Sequence, residues 1–404
     1  MRIAKLSLLL IASFALMASA SADMRRFVEP LSVGLNGSAH FSVAIADFNR
    51  DGKPDLAVTE YTGDAVDVVL GSVNGFGNLA TYPTGNSPRG IATADFNRDG
   101  KLDIVTVNGD KDNSVSVLLG NGDGKFQPPI NYSFGKLNNI NVVVADFNGD
   151  GNPDVAVGRG TNSTNIAVAV LLGNGDGTFS AGPTLGHAGS ALAIGDVNGD
   201  GKVDLVAGSG GSVLVFLGRG DGNFQQGVSY KTSGMTFALA LADFNGDGKL
   251  DIATLAYYNN VASVLLGNGN GTFQTHVDYG VADQPKSVAV TDLNGDGHPD
   301  LIIGDGAPLS VLLGNGDGTL RPQTLYGGFP SPDGIAAGDV NGDGQIDLVT
   351  VNGGTYSYAS VLVNTGFGKL RATPEYDAKH AATALAEGDF NNDGKDDVIV
   401  NGSY

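Results

Sequence analysis

The chain has 404 residues, with 23 Lys and Arg against 43 Asp and Glu, a formal charge of −20, and a hydrophobic content of 41% that is ample for a packed core. The acidic balance argues against a nucleic-acid partner, and the absence of cysteine excludes disulfides, Cys-ligated zinc and iron–sulfur clusters. Only Glu29, Glu60, Glu375 and Glu387 are glutamates, so the acidity is almost all Asp, the shorter carboxylate favoured in turns and in oxygen-ligand metal loops.

In chain order, residues 1–22 come first. Arg2 and Lys5 precede the apolar run Leu6–Met17 and the small residues Ala20-Ser21-Ala22, the pattern of a secretory signal peptide cleaved near Asp23. The run is shorter than the roughly 20 residues a membrane span needs, and no later segment is long and apolar enough to span. Residues 23–404 are expected to form a single domain in a secreted, extracellular or periplasmic protein, where calcium is plentiful.

That domain is organised by one nine-residue pattern, Asp-x-Asn-x-Asp-Gly-x-x-Asp, in eight intact copies. The first has Asp47, Asn49, Asp51 and Asp55, and the second Asp95, Asn97, Asp99 and Asp103. Then follow Asp146, Asn148, Asp150 and Asp154; Asp196, Asn198, Asp200 and Asp204; Asp243, Asn245, Asp247 and Asp251. The last three are Asp292, Asn294, Asp296 and Asp300; Asp339, Asn341, Asp343 and Asp347; and Asp389, Asn391, Asp393 and Asp397. Successive copies start 47 to 51 residues apart, a period typical of propeller blades and other stacked units.

A short apolar run precedes each copy (Phe41-Ser-Val-Ala-Ile-Ala) and another follows it (Asp103-Ile-Val-Thr-Val), predicting strands A and B. A third run, as in Ser114-Val-Ser-Val-Leu-Leu-Gly, predicts strand C, and an Asn-Gly-Asp-Gly turn leads to an edge-like strand D such as Phe126–Tyr132. Four antiparallel strands per repeat, without helical periodicity, predict an all-β propeller. The chain ends just after the eighth B strand, and Arg26–Val33 reads as an initial D strand, so pairing of the termini would complete a shortened eighth blade and close the ring. Seven blades with a displaced terminal hairpin is the other arrangement.

Positions 1, 3, 5 and 9 of each loop present three carboxylates and an amide oxygen, and the backbone carbonyl at position 7 can complete an oxygen shell. This donor set matches Ca2+, with up to eight ions, and the Gly at position 6 permits the sharp turn. Position 12 is never acidic, which excludes an EF-hand. The competing reading is a set of metal-free Asx-rich hairpin turns. The second turn, Asn121-Gly-Asp-Gly124 and its relatives, offers too few oxygens for a cage and reads as a glycine-rich hairpin.

The strand-flanked Asp-x-Asn-x-Asp-Gly-x-x-Asp loops, with the Val-Leu-Leu-Gly-Asn-Gly-Asp-Gly-x-Phe stretch, resemble the FG-GAP/VCBS repeats, the family that includes the integrin α-chain propeller. The resemblance covers Arg26 to Tyr404. It implies a calcium-bearing β-propeller and places the metal role on the positions named above; a partner or an activity does not follow from it, because one scaffold serves many functions.

If the calcium loops join A to B on one face, the B–C and D–A connections lie on the other. The B–C connections are expected to contain Tyr61, Arg159, Tyr257, Tyr258, Tyr356 and Tyr358, and the D–A connections Arg89, His40, His187, Lys286 and His380. Tyrosine suits sugar or protein contacts, having an apolar face and a polar tip. The expected function is therefore a binding or adhesion module for glycan or extracellular protein. A calcium-dependent polysaccharide lyase or hydrolase is the second reading and would need a converging acid and base; a structural spacer is the third. No nucleophile elbow, zinc motif or phosphate loop is present.

Overall fold

The computed structural model describes residues 40–404 except 53–54, 73–74, 110–113, 134–138, 160–166, 187–190, 306–308, 327–331, 339–343, 353–357, 367, 369, 373–375, 378–380, 389–396 and 404. The signal-peptide segment and the expected first D strand, Arg26–Val33, lie outside the described residues. So do Asp339, Asn341, Asp343, Asp389, Asn391, Asp393, Tyr356, His187 and His380.

The described strands form eight antiparallel sheets. Blade 1 comprises His40–Ala46, Asp55–Glu60, Ala65–Ser72 and Gly75–Pro83, and blade 2 Pro88–Ala94, Asp103–Asn108, Ser114–Leu118 and Ile130–Ser133. Blade 3 comprises Asn139–Ala145, Asp154–Arg159, Ala167–Gly173 and Phe179–Gly186; blade 4, Leu192–Gly195, Asp204–Ser209, Ser212–Phe216 and Val228–Lys231. Blade 5 holds Thr236–Ala242, Asp251–Ala256, Val261–Leu265 and Val277–Gly280, and blade 6 Ser287–Thr291, Asp300–Gly304, Leu309–Leu312 and Thr324–Tyr326. Blade 7 holds Pro332–Gly338, Asp347–Asn352, Tyr358–Asn364 and Leu370–Ala372, with Tyr376–Asp377 pairing beside its third strand; Ala381–Gly388 and Asp397–Ser403 make blade 8.

Within a blade the order follows the chain, A-B-C-D, as meandering hairpins dictate. The A strand of each blade touches the A strands of both neighbours, and that of blade 8 touches those of blades 7 and 1. The ring is therefore closed by blade 8, of which two strands lie among the described residues, with A strands innermost. A strands such as Thr236–Ala242 are mostly half-buried, and Ala238 and Ala242 of blade 5 pack against the apolar cluster between blades 5 and 6.

The core is distributed between blades. B strands such as Asp103–Asn108 and Asp251–Ala256 are buried at every residue because neighbouring blades cover both faces, while outer strands such as Ile130–Ser133 are mostly exposed. Separate apolar clusters occupy the seams; Phe96, Val105 and Val117 of blade 2 pack with Val142, Val155 and Phe179 of blade 3. The outer strand of blade 2 departs from the expected span. Phe126 makes only an isolated bridge to Gly120, and a continuous strand starts at Ile130; the same gap follows Phe224 in blade 4, where the strand starts at Val228, and Phe273 in blade 5, where it starts at Val277. Among the described residues no helix is long and apolar enough to cross a membrane.

Candidate functional site

Each described nine-residue loop connects the end of an A strand to the start of a B strand, so these loops lie at one end of the blades. Position 9 begins the B strand and is buried: Asp55, Asp103, Asp154, Asp204, Asp251 and Asp300 are each 0% exposed. Its carboxylate is held by two backbone amides. In blade 2, Phe96 N–H donates to Asp103 Oδ2 at 2.8 Å, and Gly120 N–H, at the end of strand C, donates to Oδ1 at 2.7 Å. The same pair of bonds recurs on Asp154, Asp204, Asp251 and Asp300. Burial pushes Asp103, Asp154 and Asp300 up to about 6, against the pull of those amides. The loop carboxylates Asp95 and Asp99 add to the rise at Asp103.

Positions 1 and 3 converge. The N–H of Asp99 donates to both Asp95 Oδ1, at 3.1 Å, and Asn97 Oδ1, at 3.0 Å, while Gly100 N–H donates to Asp95 Oδ2 at 2.7 Å. Loops 1, 4, 5 and 6 repeat this convergence on Asp51, Asp200, Asp247 and Asp296. Gly100 has φ +76, a left-handed value that lets its amide turn into the loop. At position 5, Asp99 accepts from Lys101 N–H at 3.0 Å and pairs with Lys101 Nζ at 2.9 Å; burial raises its carboxyl, but these contacts outweigh that and hold it below the usual range.

The donor set tests favourably for an oxygen-preferring divalent cation. Its side chains are carboxylates and a carboxamide, two of their oxygens already converge, and a carboxylate oxygen that accepts one amide keeps a second lone pair. Among the described residues, no group of three or more acidic or histidine side chains is assembled as a finished metal cluster. The amide bonds instead hold position 9 toward the blade and positions 1 and 3 toward the loop. In blade 7 only Asp347 of its loop falls within a described strand, and in blade 8 only Asp397.

The second turn does more than reverse the chain. Gly177 of blade 3 donates its N–H to the Phe96 carbonyl of blade 2 at 3.0 Å, and Gly124, Gly222, Gly271 and Gly318 make the equivalent bond to Phe48, Phe147, Val197 and Phe244. Phe96 and Phe179 meet edge to face at 5.5 Å, and Tyr132 of blade 2 meets the same Phe179 at 5.5 Å. Tyr230 and Tyr326 donate their hydroxyls to the Gly271 and Gly368 carbonyls of the next blade. The sequence signal for these seams was the recurrence of Gly-x-Phe and of Tyr in strand D, whose partners lie one repeat away. His298, at position 7 of loop 6, is half-buried with its ring against Gly316 of the second turn.

At the opposite ends of the blades, Tyr61, Tyr257 and Tyr258 lie in B–C turns, as expected. Arg159 closes a B strand, Tyr358 opens a C strand and Arg89 lies within an A strand, because the ladders extend further than the apolar runs imply. Arg89 sits over the Tyr61 ring at 5.1 Å. Tyr257 and Tyr258 meet edge to face at 5.0 Å, and Phe237 joins Tyr257 at 5.1 Å.

Solved structures with the same architecture include an Agrocybe aegerita lectin described by its specific recognition of non-reducing terminal N-acetylglucosamine, 22% identical, covering 83% of this chain and 94% of that one with a TM-score of 0.54. Saccharomyces cerevisiae Sqt1 is 12% identical over 93% of this chain and 97% of its own, with a TM-score of 0.61. A putative 6-phosphogluconolactonase from Bacteroides uniformis is 12% identical over 83% of this chain and 95% of its own, with a TM-score of 0.54. At these identities the likeness is one of fold. No curated protein sequence matches the chain. The FG-GAP-like repeat model matches seven overlapping segments, 47–106, 95–157, 146–207, 196–254, 243–303, 292–350 and 339–400, each running from one nine-residue loop into the B strand of the next repeat. The chain belongs to the FG-GAP-like repeat family.

Proposed function

We propose that the chain is a secreted, calcium-loaded propeller that serves as a binding or adhesion module for glycan or extracellular protein. The observation that carries this reading is the segregation of chemistry along blades 1 and 5. Oxygen-rich loops stand at the A–B end, and Tyr61, Tyr257 and Tyr258 stand at the B–C end of the same blades.

Calcium would be held by positions 1, 3 and 5 of each loop, with position 9 contributing a remaining lone pair and position 7 its carbonyl. When bound, the ion supplies positive charge among carboxylates that otherwise repel one another. The protein's own part is to orient the donors. Asp103 and its counterparts anchor each loop to strand C through the Gly120-type amide, and the position-2 carbonyl ties the loop to the next blade. A stiffened loop layer in turn fixes the blades that carry the opposite face. The N-terminal segment supports export, and the lectin among the structural neighbours makes glycans the first ligands to try.

The calcium-loaded full chain should bind selected members of glycan or extracellular-protein arrays, and chelator should weaken that binding. Absence of binding to either array in calcium would overturn the recognition reading and favour a spacer.

A further inference from the structure

Resting on the recognition reading above, we propose that Phe237, Tyr257 and Tyr258 form a stacking platform on blade 5 that takes a hexopyranose ring of a glycan. Tyr258 is 73% exposed and Phe237 41% exposed. Burying such rings against a ligand gains apolar contact, whereas Tyr132 and Tyr230 are used in the seams.

Phe237 reaches this position through a β-bulge. The pairing of Thr236 with Ala256 and of Ala238 with Leu255 leaves Phe237 as the extra residue, and its ring lies against Tyr257 with an interplanar angle of 31°. Bulges re-aim a side chain out of the ladder. A slip at the same place in blade 2, between Pro88 and Gly90, leaves Arg89 over Tyr61 of the neighbouring blade. The bulge thus delivers a side chain to the tyrosine of a B–C turn in two separate places.

The platform is fixed by its support. Asn260 and Gln284 have φ of 55° and 58°, left-handed values uncommon for residues other than glycine, and each holds the other's loop. Gln284 N–H donates to Asn260 Oδ1 at 2.9 Å, Asn260 Nδ2 donates to Asp283 Oδ1 at 2.8 Å, and Tyr257 donates its hydroxyl to Gln284 Oε1 at 2.9 Å. Val281 N–H closes the same junction on the Asn260 carbonyl at 3.0 Å. A surface ordered before binding loses little entropy on binding.

The surrounding chemistry favours a sugar. Asn259, Gln284 and Asp283 offer carboxamide and carboxylate groups, which match hydroxyls that both donate and accept, beside aromatic faces suited to the apolar face of a pyranose. The platform is built on a turn, so an extended peptide gains no strand edge to pair with. The acidity of the chain disfavours anionic ligands.

The test is titration of the calcium-loaded full chain with methyl glycosides of glucose, galactose, mannose and N-acetylglucosamine and with their linear oligosaccharides. Binding is read by calorimetry and by tyrosine fluorescence, which no Trp obscures in this chain. At least one sugar should bind. Tyr258→Ala and Phe237→Ala should each weaken it about tenfold or more with unchanged melting temperature, and Tyr258→Phe should retain it. Sugar binding that survives both Ala substitutions overturns the platform while leaving a glycan-binding module in place. Binding of proteins but of no sugar overturns the platform and leaves the broader reading; binding of neither overturns both.

Discussion

Gly177 of blade 3 donates its backbone N–H to the carbonyl of Phe96 in blade 2 at 3.0 Å, so the second turn of one repeat is bolted to the nine-residue loop of the repeat before it. The ring of Phe96 is 1% exposed and packs edge to face on Phe179 of the same neighbour. Removing that ring opens a cavity at a seam rather than within a blade. Phe96→Ala is expected to cost about 3–5 kcal/mol in chemical denaturation; a loss below about 1 kcal/mol would show that the seam does not depend on the aromatic pair.

The glycine that ends strand C is required by a close approach. A Cβ on Gly120 would stand 2.2 Å from the carbonyl oxygen of Leu102, and the same collision recurs at Gly218 and Gly267. Gly120→Ala must therefore push strand C off the loop and strain the amide that reaches Asp103. We expect a loss of more than about 2 kcal/mol. Gly186→Ala, where a Cβ meets nothing within 4 Å, should stay within about 0.5 kcal/mol and serves as the matched control. Equal effects at the two sites would contradict the packing argument.

Asp305 follows strand B of blade 6 and is 0% exposed, with the Ser310 hydroxyl donating to its Oδ2. Burial, with the charge of Asp283 adding to it, pushes its carboxyl up to about 7. A folded value above the unfolded one means that this group's contribution is full below the ordinary carboxylate range and is lost as pH rises through about 7. Asp305→Asn should therefore stabilise the fold at pH 8 by roughly 1–3 kcal/mol relative to wild type, with the gain shrinking toward pH 5. The pair of melting curves across that interval provides the check; a gain that grows as pH falls would reverse the sign.

The eightfold repeat and the A-B-C-D order are legible in the sequence because the loop spacing and the short apolar runs set them locally. Closure of the ring through a shortened eighth blade is legible from the position of the last B strand, while the expected pairing with Arg26–Val33 lies outside the described residues. The partners of Tyr132, Tyr230 and Phe179 are not, since a tyrosine in an outer strand looks the same whether it faces solvent or the next blade. The role of Asp103 was only partly legible. Its place in the oxygen pattern is plain, but its two amide donors come from Phe96, seven residues back, and Gly120, seventeen residues on. Phe237 was missed because one extra residue in a strand does not disturb a short apolar run; only the register with Asp251–Ala256 reveals the bulge.

The most direct test of the account is calorimetric titration of chelator-stripped full chain with calcium, paired with melting curves in chelator and in ~1 mM free calcium. With a Kd of ~0.1 mM per loop, each filled site adds about 1.4 kcal/mol, so several filled sites should raise the melting temperature by many degrees, with heat evolved or absorbed at a stoichiometry of several ions per chain. No calcium uptake, together with a melting temperature that ignores chelator, would contradict the proposal that the Asp-rich loops are calcium sites that stiffen the ring.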